Sequence, residues 1–83
     1  MKAPKCSMLK ANQFTIDTPE GTYFQSYDTV IAFQANDGTL TLDARRWDYS
    51  VTTSKYRNQF TGLTTKETQK RIASGDIKLA DLN

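Results

Sequence analysis

The sequence predicts a small α+β domain, an antiparallel β-meander followed by two short helices on one face and a short C-terminal strand, in the order β-β-β-β-α-α-β. Three observations predict it. Apolar residues recur with period two through much of the first half of the chain, and twelve threonines favour extended backbone. Beyond Arg45 the apolar spacing changes to three and four, between glycines placed where helices end.

Residues 1–11 carry Lys2, Lys5 and Lys10 without periodicity. They are expected to form a mobile N-terminal tail, with Met8 as an alternative start and residues 12–83 as the single domain. From Asn12, Phe14 and Ile16 alternate with Gln13, Thr15 and Asp17, the pattern of a half-buried strand. Thr18-Pro19-Glu20-Gly21 follows as a tight turn, Pro19 presetting φ at its second position. Thr22 to Phe33 is the most strand-like stretch, interrupted at Ser26-Tyr27-Asp28 by either a turn or a bulge. Val30-Ile31-Ala32-Phe33 lacks alternation, as expected of a central strand covered on both faces. Asn36-Asp37-Gly38 reads as a hairpin loop, and Leu40 and Leu42 mark the returning strand.

After Arg45, Ser50 or Thr52 can cap a helix with the stripe Tyr56, Phe60, Leu63, ended by Gly62. Thr64 and Glu67 form a T-x-x-E capping box opening a second helix that stops at Gly75. Ile77 and Leu79 alternate with Asp76 and Lys78 in the closing strand. Packing the helices on one face of the sheet buries Trp47, Tyr56, Phe60 and Ile72.

With 83 residues the chain supports one domain. Leu, Ile, Val and Phe number only 16, so the nine aromatic residues must supply much of the buried area. There is no histidine, and Cys6 is the only cysteine. The commonest general base, an internal disulfide and every multi-cysteine zinc site are therefore excluded. The acids fall mostly in turns, strand ends and caps, where they have structural explanations. The four glycines are isolated and form no phosphate loop. These features predict a protein that is not an enzyme and needs neither cofactor nor metal. No apolar run exceeds four residues, so no membrane span or signal-peptide core is expected and the chain is assigned to the cytoplasm.

Charge is segregated. Residues 1–44 carry a net −2, residues 45–71 a net +5 and residues 72–83 a net −1. The basic segment interleaves cations with aromatics through Arg45-Arg46-Trp47-Asp48-Tyr49 and Lys55-Tyr56-Arg57. Two uses follow. The first is a protein-binding patch made of Arg45, Arg46, Tyr49, Lys55 and Arg57, since Arg and Tyr are favoured interface anchors. The alternative is DNA or RNA binding through Arg46, Arg57, Lys66, Gln69, Lys70 and Arg71, with cations on phosphates and any exposed ring on a base. In outline the two helices resemble a helix-turn-helix whose second helix presents Thr65, Lys66, Gln69, Lys70 and Arg71. A third reading is pairing through an exposed sheet edge, either Asn12–Asp17 or Ile77–Ala80.

Three strings carry a family resemblance: Gly21-Thr22-Tyr23-Phe24-Gln25-Ser26-Tyr27-Asp28-Thr29-Val30-Ile31-Ala32-Phe33, the run from Trp47-Asp48-Tyr49 to Asn58-Gln59-Phe60, and the ending from Lys70-Arg71-Ile72 to Asn83. Over residues 12–83 the chain resembles an uncharacterised small-domain family of tailed phages and prophages. The resemblance implies a bacterial host cytoplasm and an accessory protein that occupies a surface on host or phage machinery. Inhibition of a host-defence or nucleic-acid-processing enzyme is the effect expected of such a protein.

Overall fold

The computed structural model describes residues 5–10, 12–48 and 50–83. It contains one six-stranded sheet whose strands lie side by side in chain order. Strands β1 (Lys5–Lys10), β2 (Gln13–Thr18), β3 (Gly21–Ser26), β4 (Thr29–Ala35) and β5 (Leu40–Asp43) form an antiparallel meander. Helices α1 (Val51–Thr61) and α2 (Thr65–Ser74) then lead to β6 (Ile77–Ala80), which pairs with β5 in parallel. A parallel neighbour cannot be reached by a hairpin, and the helical pair is the crossover that reaches it. The α+β class and the predicted β-β-β-β-α-α-β order both hold, with β1 added in front.

That added strand corrects the reading of residues 1–11 as a tail. Lys5–Lys10 pairs with β2, with Cys6 in register opposite Ile16. An edge strand needs only backbone partners, which a side-chain period does not reveal. Residues 1–4 and 11 lie outside the described residues. β2 is consequently interior, so of the two edges expected for strand addition only Ile77–Ala80 is one.

The core lies between the sheet and the helices. Phe24, Ala32 and Leu42 sit in register across β3, β4 and β5, and with Ile31 and Ile77 they are buried. Trp47, Tyr56, Phe60, Leu63 and Ile72 pack onto this cluster from the helical side, with Phe60 stacked on Phe24 at 5.8 Å. The missing alternation in Val30–Phe33 has a different cause from the one expected. Phe24 pairs with Ala32 but Gln25 with Val30, so Ile31 is a bulge residue. The bulge lets Ile31 join Ala32 in the core. The interruption at Tyr27-Asp28 is a two-residue turn, with Ser26 opposite Thr29.

Beyond the bulge, β4 no longer pairs with β5, and Val30 is satisfied by a side chain instead. Asn83 accepts from the Val30 N–H at 2.8 Å and donates to its carbonyl at 3.0 Å. The same amide donates to Asp43 at 3.1 Å, and Asp43 also accepts from the backbone N–H groups of Leu82, Arg45 and Arg46. Buried Asp43 thus fastens the chain after β6 to the start of the crossover.

Gly21 is fixed by close approach. A Cβ there would stand 2.3 Å from the Gln34 carbonyl oxygen and 2.9 Å from Cζ of Phe33. Gly21→Ala is expected to lower unfolding free energy by about 1–3 kcal/mol, read as a lower urea midpoint at unchanged slope. The Asp43 carboxyl supplies a pH dependence. Burial pushes its pKa up, but the four hydrogen bonds outweigh burial and hold it below the ordinary aspartate value. Its stabilisation is therefore complete above the unfolded pKa of about 3.9 and is lost as pH falls through the lower folded value. Urea midpoints measured down the acid range should fall there, and Asp43→Asn should flatten that part of the curve.

Candidate functional site

The helical layer is built around a buried cation. The α1 stripe contains Thr53, Tyr56, Arg57 and Phe60, and Thr53 and Arg57 are fully buried. Ser50 caps α1 by accepting from the Thr53 N–H, and the Thr53 hydroxyl meets that of Ser26 at 2.9 Å. This contact seats the first turn of α1 on the end of β3. Gly62, in the left-handed conformation, closes α1, and the Thr64–Glu67 capping box opens α2. Glu67 accepts from the Thr64 N–H, which holds its carboxyl below the usual range.

Arg57 joins three segments. Its Nη1 donates to the Trp47 carbonyl, to Asp48 at 3.3 Å and to the Ser54 hydroxyl at 3.4 Å. Nη2 donates to Asn58 at 2.9 Å and to the Thr65 hydroxyl at 2.8 Å. The guanidinium also lies over the Trp47 ring, 5.0 Å from its centroid. Burial lowers its pKa, and the neighbouring Asp48 carboxylate opposes that shift. One side chain thereby ties the loop before α1, α1 itself and the first turn of α2.

Above this network opens a recess of 710 Å³ lined by Asp48, Ser50, Val51, Ser54, Lys55, Asn58 and Thr65. Asp48, Ser54, Asn58 and Thr65 are held from beneath by Arg57, so the floor is fixed. Val51 stands on the rim at 89% exposure, the largest value of any bulky apolar residue described.

The structure separates the predicted site residues. Arg45, Arg46 and Lys55 are exposed. Arg57 is withdrawn from both candidate interfaces, because it is wholly buried and both terminal nitrogens are engaged within the chain. Tyr49 lies outside the described residues. Lys66, Gln69, Lys70 and Arg71 are exposed on α2, but Thr65 turns inward to Arg57 and Asn58 instead of outward. The rings of the basic segment are held in place: Trp47, Tyr56 and Phe60 pack on the core. Sequence reasoning missed the burial of Arg57 because arginine is ordinarily exposed. The available signal was its place beside Tyr56, four residues after Thr53 and three before Phe60, on the inward stripe. Among the described residues no group of three or more acids or cysteines is placed to hold a metal ion, and no helix is long and apolar enough to cross a membrane.

Fold and recess together define a small two-layer α+β domain with a polar, mixed-charge helical surface. The chain belongs to a family of unknown function, DUF8033, whose model matches residues 1–76. The match takes in the N-terminal segment, so the family domain begins before residue 12 and includes β1. No curated protein and no solved structure shows significant similarity to the chain.

If Arg57 is the tie between these segments, Arg57→Met should reduce unfolding free energy by about 2–3 kcal/mol and shift Trp47 emission. Arg57→Lys should fail to restore stability, since a single ammonium cannot reproduce the planar fork that serves both sides. Urea unfolding followed by Trp47 fluorescence checks both variants.

Proposed function

We propose that the protein is a non-enzymatic accessory that acts by binding a protein partner through the helical recess and its rim. The observation that carries this reading is Val51, an apolar side chain almost fully exposed beside a fixed floor and Lys55. An exposed apolar anchor flanked by satisfied polar groups is what a protein interface uses, with Arg45 and Arg46 extending the patch. The phage-type resemblance directs the search to host-defence and nucleic-acid-processing machinery in a bacterial cytoplasm, where occupying a working surface is itself inhibitory.

One observation favours a second reading. Arg46, Lys66, Lys70 and Arg71 are exposed and, among the described residues, make no ion pair, as a phosphate-binding track would require. With the nearby rings packed on the core, such binding would rest on phosphate contacts and groove edges, with Gln69 the side chain able to read a base.

Crosslinked capture from a host lysate, compared across variants, tests the first reading. The expected result is a partner retained by the unaltered chain, lost with Val51→Asp and with Lys55→Glu, and kept with Lys78→Glu on β6. Capture indifferent to both rim substitutions overturns it. Oligonucleotide anisotropy tests the second: affinity that falls steeply between about 50 and 200 mM salt, and on Lys70→Glu for every sequence alike, establishes it.

A further inference from the structure

The helices cover one face of the sheet, and the opposite face is apolar. Strand register places Ile16, Tyr23, Phe33 and Thr41 in one row across β2 to β5. Phe14, Gln25 and Val30 form the adjoining row. Phe14, Ile16, Tyr23, Val30 and Phe33 are only half-buried. Tyr23 and Phe33 lie against each other with ring centroids 4.5 Å apart, Phe33 reaching over Gly21. Both helices pack on the other side, so among the described residues no helix or strand covers these five.

The middle of the face, from β2 to β4, is also uncharged. β3 and β4 contain no Lys, Arg, Asp or Glu, and Asp17 of β2 alternates to the helical side, where it accepts from Thr22. The nearest cation on the apolar side is Lys78, beyond Thr41 at the β6 edge.

We infer that this face is the contact surface of a homodimer, in which a second copy of the chain packs sheet against sheet about a two-fold axis. Three arguments select a second copy. The first is electrostatic. Each chain carries a net +2, and its +5 segment, residues 45–71, forms the helical layer. Sheet-to-sheet packing joins two faces uncharged at their middle and holds the basic layers on opposite outer surfaces, well beyond the screening length of about 8 Å. An anionic membrane surface, by contrast, would be drawn to the basic helical side.

The second argument is size. Six strands about 4.8 Å apart make a sheet about 29 Å wide. That width fits molecular extents of 35 × 28 × 22 Å. The whole face, with its polar margins included, is broad enough to bury the roughly 800 Å² per partner that a specific dimer needs. Aligned packing of two sheets about 10 Å apart is a standard geometry for such faces.

The third argument concerns the core. Among the described residues only five hydrophobic ones are buried in the single chain, Phe24, Ile31, Ala32, Leu42 and Ile77. Small domains with little core commonly gain stability by association, and pairing these sheets adds a second core.

Sedimentation equilibrium on the full chain, from about 1 to 500 µM, tests the inference. The expected result is a reversible transition from the 9.4 kDa monomer to a particle of twice that mass. Ile16→Lys and Val30→Lys each bury a charge in the proposed contact. Either should weaken dimerisation at least 100-fold while far-UV circular dichroism and Trp47 emission stay unchanged. If one variant fails to fold, the other carries the same test. Lys66→Glu, on the helical side, should leave the dimer intact. A wild-type chain that stays monomeric throughout overturns the inference, whether or not it binds neutral or anionic vesicles. So do folded Ile16→Lys and Val30→Lys variants that remain dimeric. The helical recess and this face lie on opposite sides of the sheet, so neither result bears on the recess.

Discussion

The helical layer depends on one buried cation. Helix α1 sends Tyr56 and Phe60 onto the core, but its two fully buried side chains, Thr53 and Arg57, are polar and hold only where their hydrogen bonds are met. Arg57 offsets its own desolvation by donating to five oxygens and stacking on Trp47. Those acceptors belong to three segments, so the position of the loop, of α1 and of the start of α2 is decided together. The recess above inherits its rigidity from this arrangement, because four of the residues that line it are the partners of Arg57.

The sheet has a corresponding device. The bulge at Ile31 gains two adjacent core residues on β4 but leaves Val30 without a partner on β5. The side-chain amide of Asn83 supplies both missing hydrogen bonds, and Asp43 holds that amide in place. Two features distant in sequence are thereby coupled: a bulge inside the meander and the chain beyond β6. The two faces of the sheet consequently differ in character, one closed by a polar helical layer and the other left apolar and, from β2 to β4, uncharged.

Much of this was legible in the chain because it depends on neighbours in sequence. The Thr18–Gly21 turn, the Asn36–Gly38 loop, the Thr64–Glu67 capping box and the glycine stops at Gly62 and Gly75 are all settled by backbone preferences within a few residues, which also narrowed the α1 cap to Ser50 or Thr52. The period-two runs placed β2 and β5 for the same reason, and strand-prone residues in Thr22–Phe33 placed β3 and β4. Lys5–Lys10 escaped notice because an edge strand is selected by the backbone groups of its neighbour. Ile31 and Ala32 imitated a strand buried on both faces, since a bulge and double-sided burial erase alternation alike.

The candidate site was less legible than the fold. Local charge density marked residues 45–71, and Arg45, Arg46, Lys55, Lys66, Gln69, Lys70 and Arg71 are indeed exposed. The sequence by itself determined the class, the order of elements from β2 onward and the basic character of the helical segment, because propensity, capping and charge are properties of short stretches. Only the tertiary structure decided that Arg57 lies inside, that Thr65 turns inward, and that Phe14, Ile16, Tyr23, Val30 and Phe33 share an uncovered face. Each of those outcomes turns on which residues distant in sequence meet, and on the desolvation and hydrogen bonding that the meeting imposes.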